Sequence, residues 1–183
     1  MLTFAHMEIG GQYDPFRNAS RGQSPLALRL GDAPYGPESG RVGVMNSLAR
    51  SGLPIAEGVV LMEECHRSFL ESSGLAWDLL ACGDGTEVRK LAQALRRRYR
   101  RCTLKEELKG VIRAALAEIG GRSVAVVSED MTRTGLRSIP RVEEAVLRAW
   151  LSPNGLRRQV GAAMRGGEIP LWPVLIQHEL HDG

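Results

Sequence analysis

The stretch Gly52-Leu53-Pro54-Ile55-Ala56-Glu57-Gly58-Val59-Val60-Leu61-Met62-Glu63-Glu64-Cys65 decides the fold class. Gly52 can supply the left-handed residue that stops a helix, and Pro54 forbids the helix from continuing. Val59, Val60, Leu61 and Met62 then make a short apolar run, partly β-branched and long enough for a buried strand. A helix-like run over residues 39–50 leads into the stretch, and a second over residues 63–72 leads out of it. Helix, Gly-Leu-Pro turn, strand and helix together predict an α/β domain.

Toward the N-terminus, Leu26, Leu28 and Leu30 alternate with Ala27 and Arg29, the period of a half-buried strand. Gly31-Asp32-Ala33-Pro34-Tyr35-Gly36-Pro37 is loop chemistry. Residues 1–23 are polar, with Gly10-Gly11 and Asp14-Pro15, and read as a loosely ordered leader to one domain over residues 24–183. Toward the C-terminus, Cys65, Phe69 and Leu70 share a helix face, and Leu75, Trp77, Leu79 and Leu80 suggest a further short helix before Gly83-Asp84-Gly85. Thr86 opens a basic helix reaching about Arg101. Thr103 and Glu106 have capping-box spacing, and Leu104, Leu108, Val111, Ile112, Ala115 and Ile119 recur at helical period until Gly120-Gly121. Val124-Ala125-Val126-Val127 and Val174-Leu175-Ile176 are buried-strand candidates, with helices expected over residues 143–151 and 156–164. The class is α/β, with a small mixed sheet flanked by helices. A sequence that stops soon after a buried strand reads as half of a larger unit. Such a half would leave an apolar face for a partner chain or self-association to cover.

Composition narrows the function classes. The 183 residues are 43% hydrophobic and 25% charged, ordinary for a globular domain. Aromatics are only 5%, so the core must be built from Leu, Val, Ile and Ala. The net charge of +3 permits an anionic ligand without requiring one. Lys90, Lys105 and Lys109 are the only lysines, and none precedes residue 90. Cys65, Cys82 and Cys102 form no metal-ligand spacing and read as reduced thiols, which points to the cytoplasm. No apolar run reaches the ~18 residues of a membrane span.

Several groups could carry chemistry. Arg96-Arg97-Arg98-Tyr99-Arg100-Arg101 would neutralise nucleic-acid phosphates with Tyr99 free to stack, but arginines so spaced spread around a helix. A solvated face is the favoured reading, and nucleic acid is not the expected partner. His178 and His181 are three apart, which on a strand places them on opposite faces and disfavours a metal site. His66 reads as a surface residue of its helix. Ser128-Glu129-Asp130 follows a strand, where carboxylates could hold Mg²⁺ or a ribose; an ordinary polar turn is the favoured alternative.

Three elements in order carry a family resemblance. Ser51-Gly52-Leu53-Pro54-Ile55-Ala56-Glu57-Gly58-Val59-Val60-Leu61 resembles the "GLPVPPGFVV" element of the PEP/pyruvate-binding domain, the nucleotide-binding ATP-grasp half of phosphoenolpyruvate synthase, pyruvate phosphate dikinase and rifampicin phosphotransferase. Val124-Ala125-Val126-Val127-Ser128-Glu129-Asp130, followed by Thr134-Gly135 and the helix Val142 to Pro153, is similar to a second element. Val174-Leu175-Ile176-Gln177 is similar to a third. The resemblance implies the first ATP-grasp subdomain, with ATP and Mg²⁺ as cofactors and phosphoryl transfer as the family's activity. It places Arg41 where the family has a phosphate-binding lysine, or Glu38 there if the helix is longer. Gly135 matches the glycine of a flap-like loop, and Gln177 a nucleotide-contacting glutamine. Val127 stands in place of the phosphate-binding arginine and Ile139 in place of a nucleotide-contacting threonine. The second lobe, which carries the family's metal-binding acidic residues, has no counterpart in the sequence. The resemblance therefore implies an ATP-binding subdomain that is incomplete or degenerate and not catalytic alone. The alternative is a non-catalytic interaction module derived from it.

Overall fold

The run Gly58–Leu61 becomes β2, one of five strands in a single sheet. A computed structural model describes residues 25–82, 87–120 and 123–179. The strands are β1 (Ala27–Arg29), β2, β3 (Val124–Val127), β4 (Thr132–Leu136) and β5 (Val174–His178), in the order β1-β2-β5-β3-β4. The helices are α1 (Gly40–Arg50), α2 (Glu63–Ser73), α3 (Leu75–Leu80), α4 (Val88–Tyr99), α5 (Glu106–Ile119), α6 (Ile139–Trp150) and α7 (Pro153–Met164). The α/β class holds, but every described pairing is antiparallel, so the sheet is not mixed. β5 enters between β2 and β3 and runs against both. The expected leader falls outside the described residues, as do Thr86 and His181.

The period of two along the strands divides the core into two layers. Val59, Leu61, Val124, Val126, Val174 and Ile176 belong to the larger one, with side chains from α2, α4, α5, α6 and α7. Val60, Ala125, Val127 and Leu175 face the other way, against Val42 of α1, Ala33 and Tyr35 of the loop before it, and Met62 at the start of α2. Burial of each such aliphatic side chain stabilises the fold by about 1.5–3 kcal/mol. The central strands are thus covered on both faces by the chain itself, contrary to the uncovered half-domain expected. Exposed large apolar side chains lie elsewhere, notably Trp77 and Leu80 on α3. No helix among the described residues is long and apolar enough to cross a membrane.

Other differences have local causes. β4 was not anticipated: its residues Thr132, Arg133, Thr134 and Gly135 are exposed, as befits an edge strand, and no apolar alternation marks it. α6 begins at Ile139 rather than residue 143, because Pro140 is tolerated in a first turn. The capping box does not form. Lys105 precedes α5 without a side-chain cap, and the Glu106 carboxylate turns to Lys109 at 2.8 Å and Arg113 at 3.2 Å.

His66 is the largest reversal. It is fully buried, because α2 presents Cys65, His66, Phe69 and Leu70, a stripe wide enough to take adjacent residues inward. Its ring stacks on Trp150 at 5.6 Å and meets Trp172 edge-on at 4.3 Å. Its Nδ1 accepts the Trp172 backbone N–H at 3.2 Å. Burial drives its pKa down to about 3. Since the folded pKa lies below the unfolded value of 6.5, stability is intact above pH 6.5 and declines as pH falls toward 3. The limiting slope is about 1.4 kcal/mol per pH unit. Melting curves between pH 5 and about pH 7 should show this decline in the wild type, and His66→Leu should flatten it.

Candidate functional site

Of the residues singled out by the resemblance, Arg41, Val127 and Gln177 sit on the α1 side of the sheet. Gly36 is extended, Pro37–Ser39 form a single 3-10 turn, and Gly40, the first residue of α1, adopts φ +73°. Two close approaches explain the glycines. A Cβ on Gly43 would lie 1.9 Å from the Gly36 carbonyl oxygen, and one on Gly40 would lie 2.0 Å from Glu129 Oε2. Asn46 locks the preceding loop from inside. It is fully buried, donates to the carbonyls of Ala33 at 2.7 Å and Tyr35 at 2.8 Å, and accepts the Gly31 N–H at 2.7 Å. Tyr35 Oη accepts the Glu63 N–H at 3.2 Å, and burial pushes its phenol up to about 12.

The decisive contact is at the start of α1. The Arg41 backbone N–H donates to Glu129 Oε2 at 2.8 Å, so a carboxylate occupies the end of the helix where its unpaired N–H groups and dipole favour an anion. The Arg41 guanidinium donates through Nη1 to Thr132 Oγ1 at 2.8 Å, at the start of β4. Arg41 therefore lies on the β3–β4 hairpin, and Glu38 lies in the 3-10 turn before α1.

Glu129 is held by a tight turn in which Ser128 N–H donates to the Met131 carbonyl at 2.8 Å. Asp130 in the same turn faces the start of α7. It accepts from Ser152 Oγ at 2.6 Å and Asn154 at 3.5 Å, and pairs with Arg158 at 3.3 Å. Ser152 Oγ in turn accepts the Gly155 N–H at 3.1 Å and caps α7. Ser128-Glu129-Asp130 is thus a polar turn, the favoured reading, whose two carboxylates serve two helix starts.

Gly135 and Gln177 each have a partner of their own. The Gly135 N–H donates to Glu179 Oε1 at 2.8 Å, and Ser123 Oγ donates to the other carboxylate oxygen. Gly135 has φ +70° and lies where β3 and β4 shift register, with Val124 opposite Leu136 but Val126 opposite Arg133. One extra residue on β4 makes a bulge, and the left-handed conformation favours glycine there. Gln177 is opposite Gly58 on one side and Ala125 on the other, and its amide donates to the Ala56 carbonyl at 3.0 Å. It lines an open depression of about 440 Å³ with Met45, Ile55 and Ala56. Arg41 stands by Thr132, three residues and about 10 Å of strand from Gly135. Among the described residues no group of three or more His, Cys, Asp or Glu could hold a metal ion. The thiols of Cys65, Cys82 and Cys102 are all free.

Sequence reasoning singled out Arg41, Gly135 and Gln177 but missed what each is bonded to. Glu129 stood out as a carboxylate just after a strand, but not as the anion at the start of α1. Asn46 gave no signal, since a lone asparagine in a helix-like run reads as surface. No protein-family model matches the chain, and no curated protein matches it either.

Glu129→Ala should lower stability by about 1 kcal/mol, as loss of an N-terminal helix partner does. Asn46→Ala, which strands two carbonyls and an N–H, should cost about 3 kcal/mol. Urea denaturation measures both, and equal effects would contradict the burial argument.

Proposed function

We propose that the chain is a degenerate ATP-grasp-type nucleotide-binding subdomain, related to that of the phosphoenolpyruvate synthase group and not a phosphotransferase on its own. The carrying observation is the Glu129 carboxylate on the Arg41 N–H at the start of α1. A phosphate there would have to displace a covalently tethered anion that is already hydrogen-bonded. The compensating cations are few: the family's lysine position holds Arg41, whose guanidinium is engaged by Thr132, and its arginine position holds the buried Val127. A site without such charge-assisted contacts forgoes about 1.5–3 kcal/mol for each. Gly135 and Gln177, already bonded to Glu179 and Ala56, are the remaining candidates for weak nucleotide contact.

The second reading is a non-catalytic interaction module. It is favoured by Trp77 and Leu80, 73% and 67% exposed one helical turn apart on α3. Tryptophan is a common anchor of protein interfaces. Light scattering across a range of concentrations checks for self-association through them, with Trp77→Ala as the control.

Amide NMR titration with ATP and Mg²⁺ tests the first reading site by site. The Arg41 cross-peak should stay fixed in the wild type, with only small, non-saturating shifts at Gly135 and Gln177, whereas Glu129→Ala should allow the Arg41 amide to shift. Tight wild-type binding that moves all three peaks would mean an intact nucleotide site. A fixed Arg41 peak in both proteins would mean that the start of α1 is no anion site at all.

A further inference from the structure

The arginine run after residue 95 is not one surface. Arg98 turns toward α3 and pairs with Asp78 at 2.7 Å, and its guanidinium lies over the Tyr99 ring. Tyr99 is buried, with its hydroxyl donating to Asp78 at 2.7 Å, so it offers no free ring for a base to stack on. Arg96, Arg100 and Arg101 point the other way, into a cleft against α6. Arg96 uses its Nε to donate to the Leu151 carbonyl at 3.2 Å, which fixes its guanidinium at the mouth of that cleft.

The cleft has a cationic rim, and only the edges of Leu147 and Leu151, 7% and 2% exposed, reach its floor. One part, of about 400 Å³, reaches Leu147 and Leu151; an adjoining part of about 220 Å³ shares Arg100, Arg101, Glu144 and Leu147. That is the size of a small-molecule site. The other charges facing it are largely matched. Glu144 accepts from Arg148 and pairs with Arg141 at 3.5 Å, and Lys109 on α5 pairs with Glu106 at 2.8 Å. Glu143 also lines the smaller part. Among the described residues Arg100 and Arg101 make no ion pair. Two guanidiniums without an ion pair beside a third suit a ligand with a multiply charged head. Guanidinium forks match phosphate oxygens.

We infer that the cleft between the C-terminal end of α4 and α6 binds a small organic phosphate, its phosphate held by Arg96, Arg100 and Arg101 and its organic part directed along the cleft past Leu147, which lines both of its parts. This site is separate from the start of α1 and does not depend on the reading given for it. The split of the arginine run and the burial of Tyr99 favour a small anion over a nucleic acid, which would draw on Arg97 and Arg98 as well.

Calorimetric titration with phenyl phosphate and with pyrophosphate tests the inference, beside a sheared DNA duplex. Phenyl phosphate should bind saturably at one site, and Arg100→Ala with Arg101→Ala should weaken it by about tenfold or more, as loss of charge-assisted hydrogen bonds predicts. Arg97→Ala, an equal loss of charge per residue outside the cleft, should leave it unchanged. Absence of saturable binding would overturn the proposal, as would equal weakening by Arg97→Ala. Preferential binding of the duplex, with affinity falling steeply with salt, would overturn it too. Should the double variant melt early, the wild-type amide spectrum decides. The peaks of Arg100, Arg101 and Leu147 must move with phenyl phosphate for the site to stand.

Discussion

The sheet depends on the pairing of β5 with strands on both of its sides. β1 and β2 form one antiparallel pair and β3 and β4 another, and the two pairs meet only through β5. Val174, Leu175 and Ile176 are fully buried, and their alternation feeds both core layers. Segments more than 110 residues apart, such as Val60 and Leu175, must therefore meet before either layer closes. The entropic cost of closing so long a loop rises only slowly with length, but it has to be met before the contacts form.

Polar groups of the described loops are tied inward rather than left for a ligand. Asn46 serves the loop before α1, Glu179 serves the bulge at Gly135, and Gln177 serves the Ala56 carbonyl. This is why the positions matched to nucleotide contacts are engaged by the chain's own groups. Satisfied buried polar groups rigidify a fold, and a ligand at those positions would have to replace bonds already made.

Much of the fold was legible because its strongest signals are local. Val59 to Leu61, Val124 to Val127 and Val174 to Ile176 are apolar runs bounded by breakers, and all three are strands. The α5 stripe from Leu108 to Ile119 needs only period 3.6. What was not legible depends on partners distant in the chain. Antiparallel order follows from where β5 inserts, which no local pattern encodes. β4 is polar and becomes a strand only because β3 offers it an edge. His66 reads as polar until Trp150 and Trp172 close over it, and Thr103 spaces correctly with Glu106 yet loses to Lys109 and Arg113. In the candidate site, Arg41, Gly135 and Gln177 could be singled out, but the carboxylates that engage Arg41 and Gly135 lie 88 and 44 residues away.

The turn at Ser128 to Met131 has a mechanical consequence. Its neighbouring carboxylates grip the first turn of α1 and the first turn of α7, two helices that lie on opposite faces of the sheet. The turn is therefore a rocker with one arm on each layer. A rotation that withdraws Glu129 from Arg41 also moves Asp130 against Ser152 and Arg158. Local opening at the start of α1 is then felt across the sheet at α7, without any contact between the two helices being required.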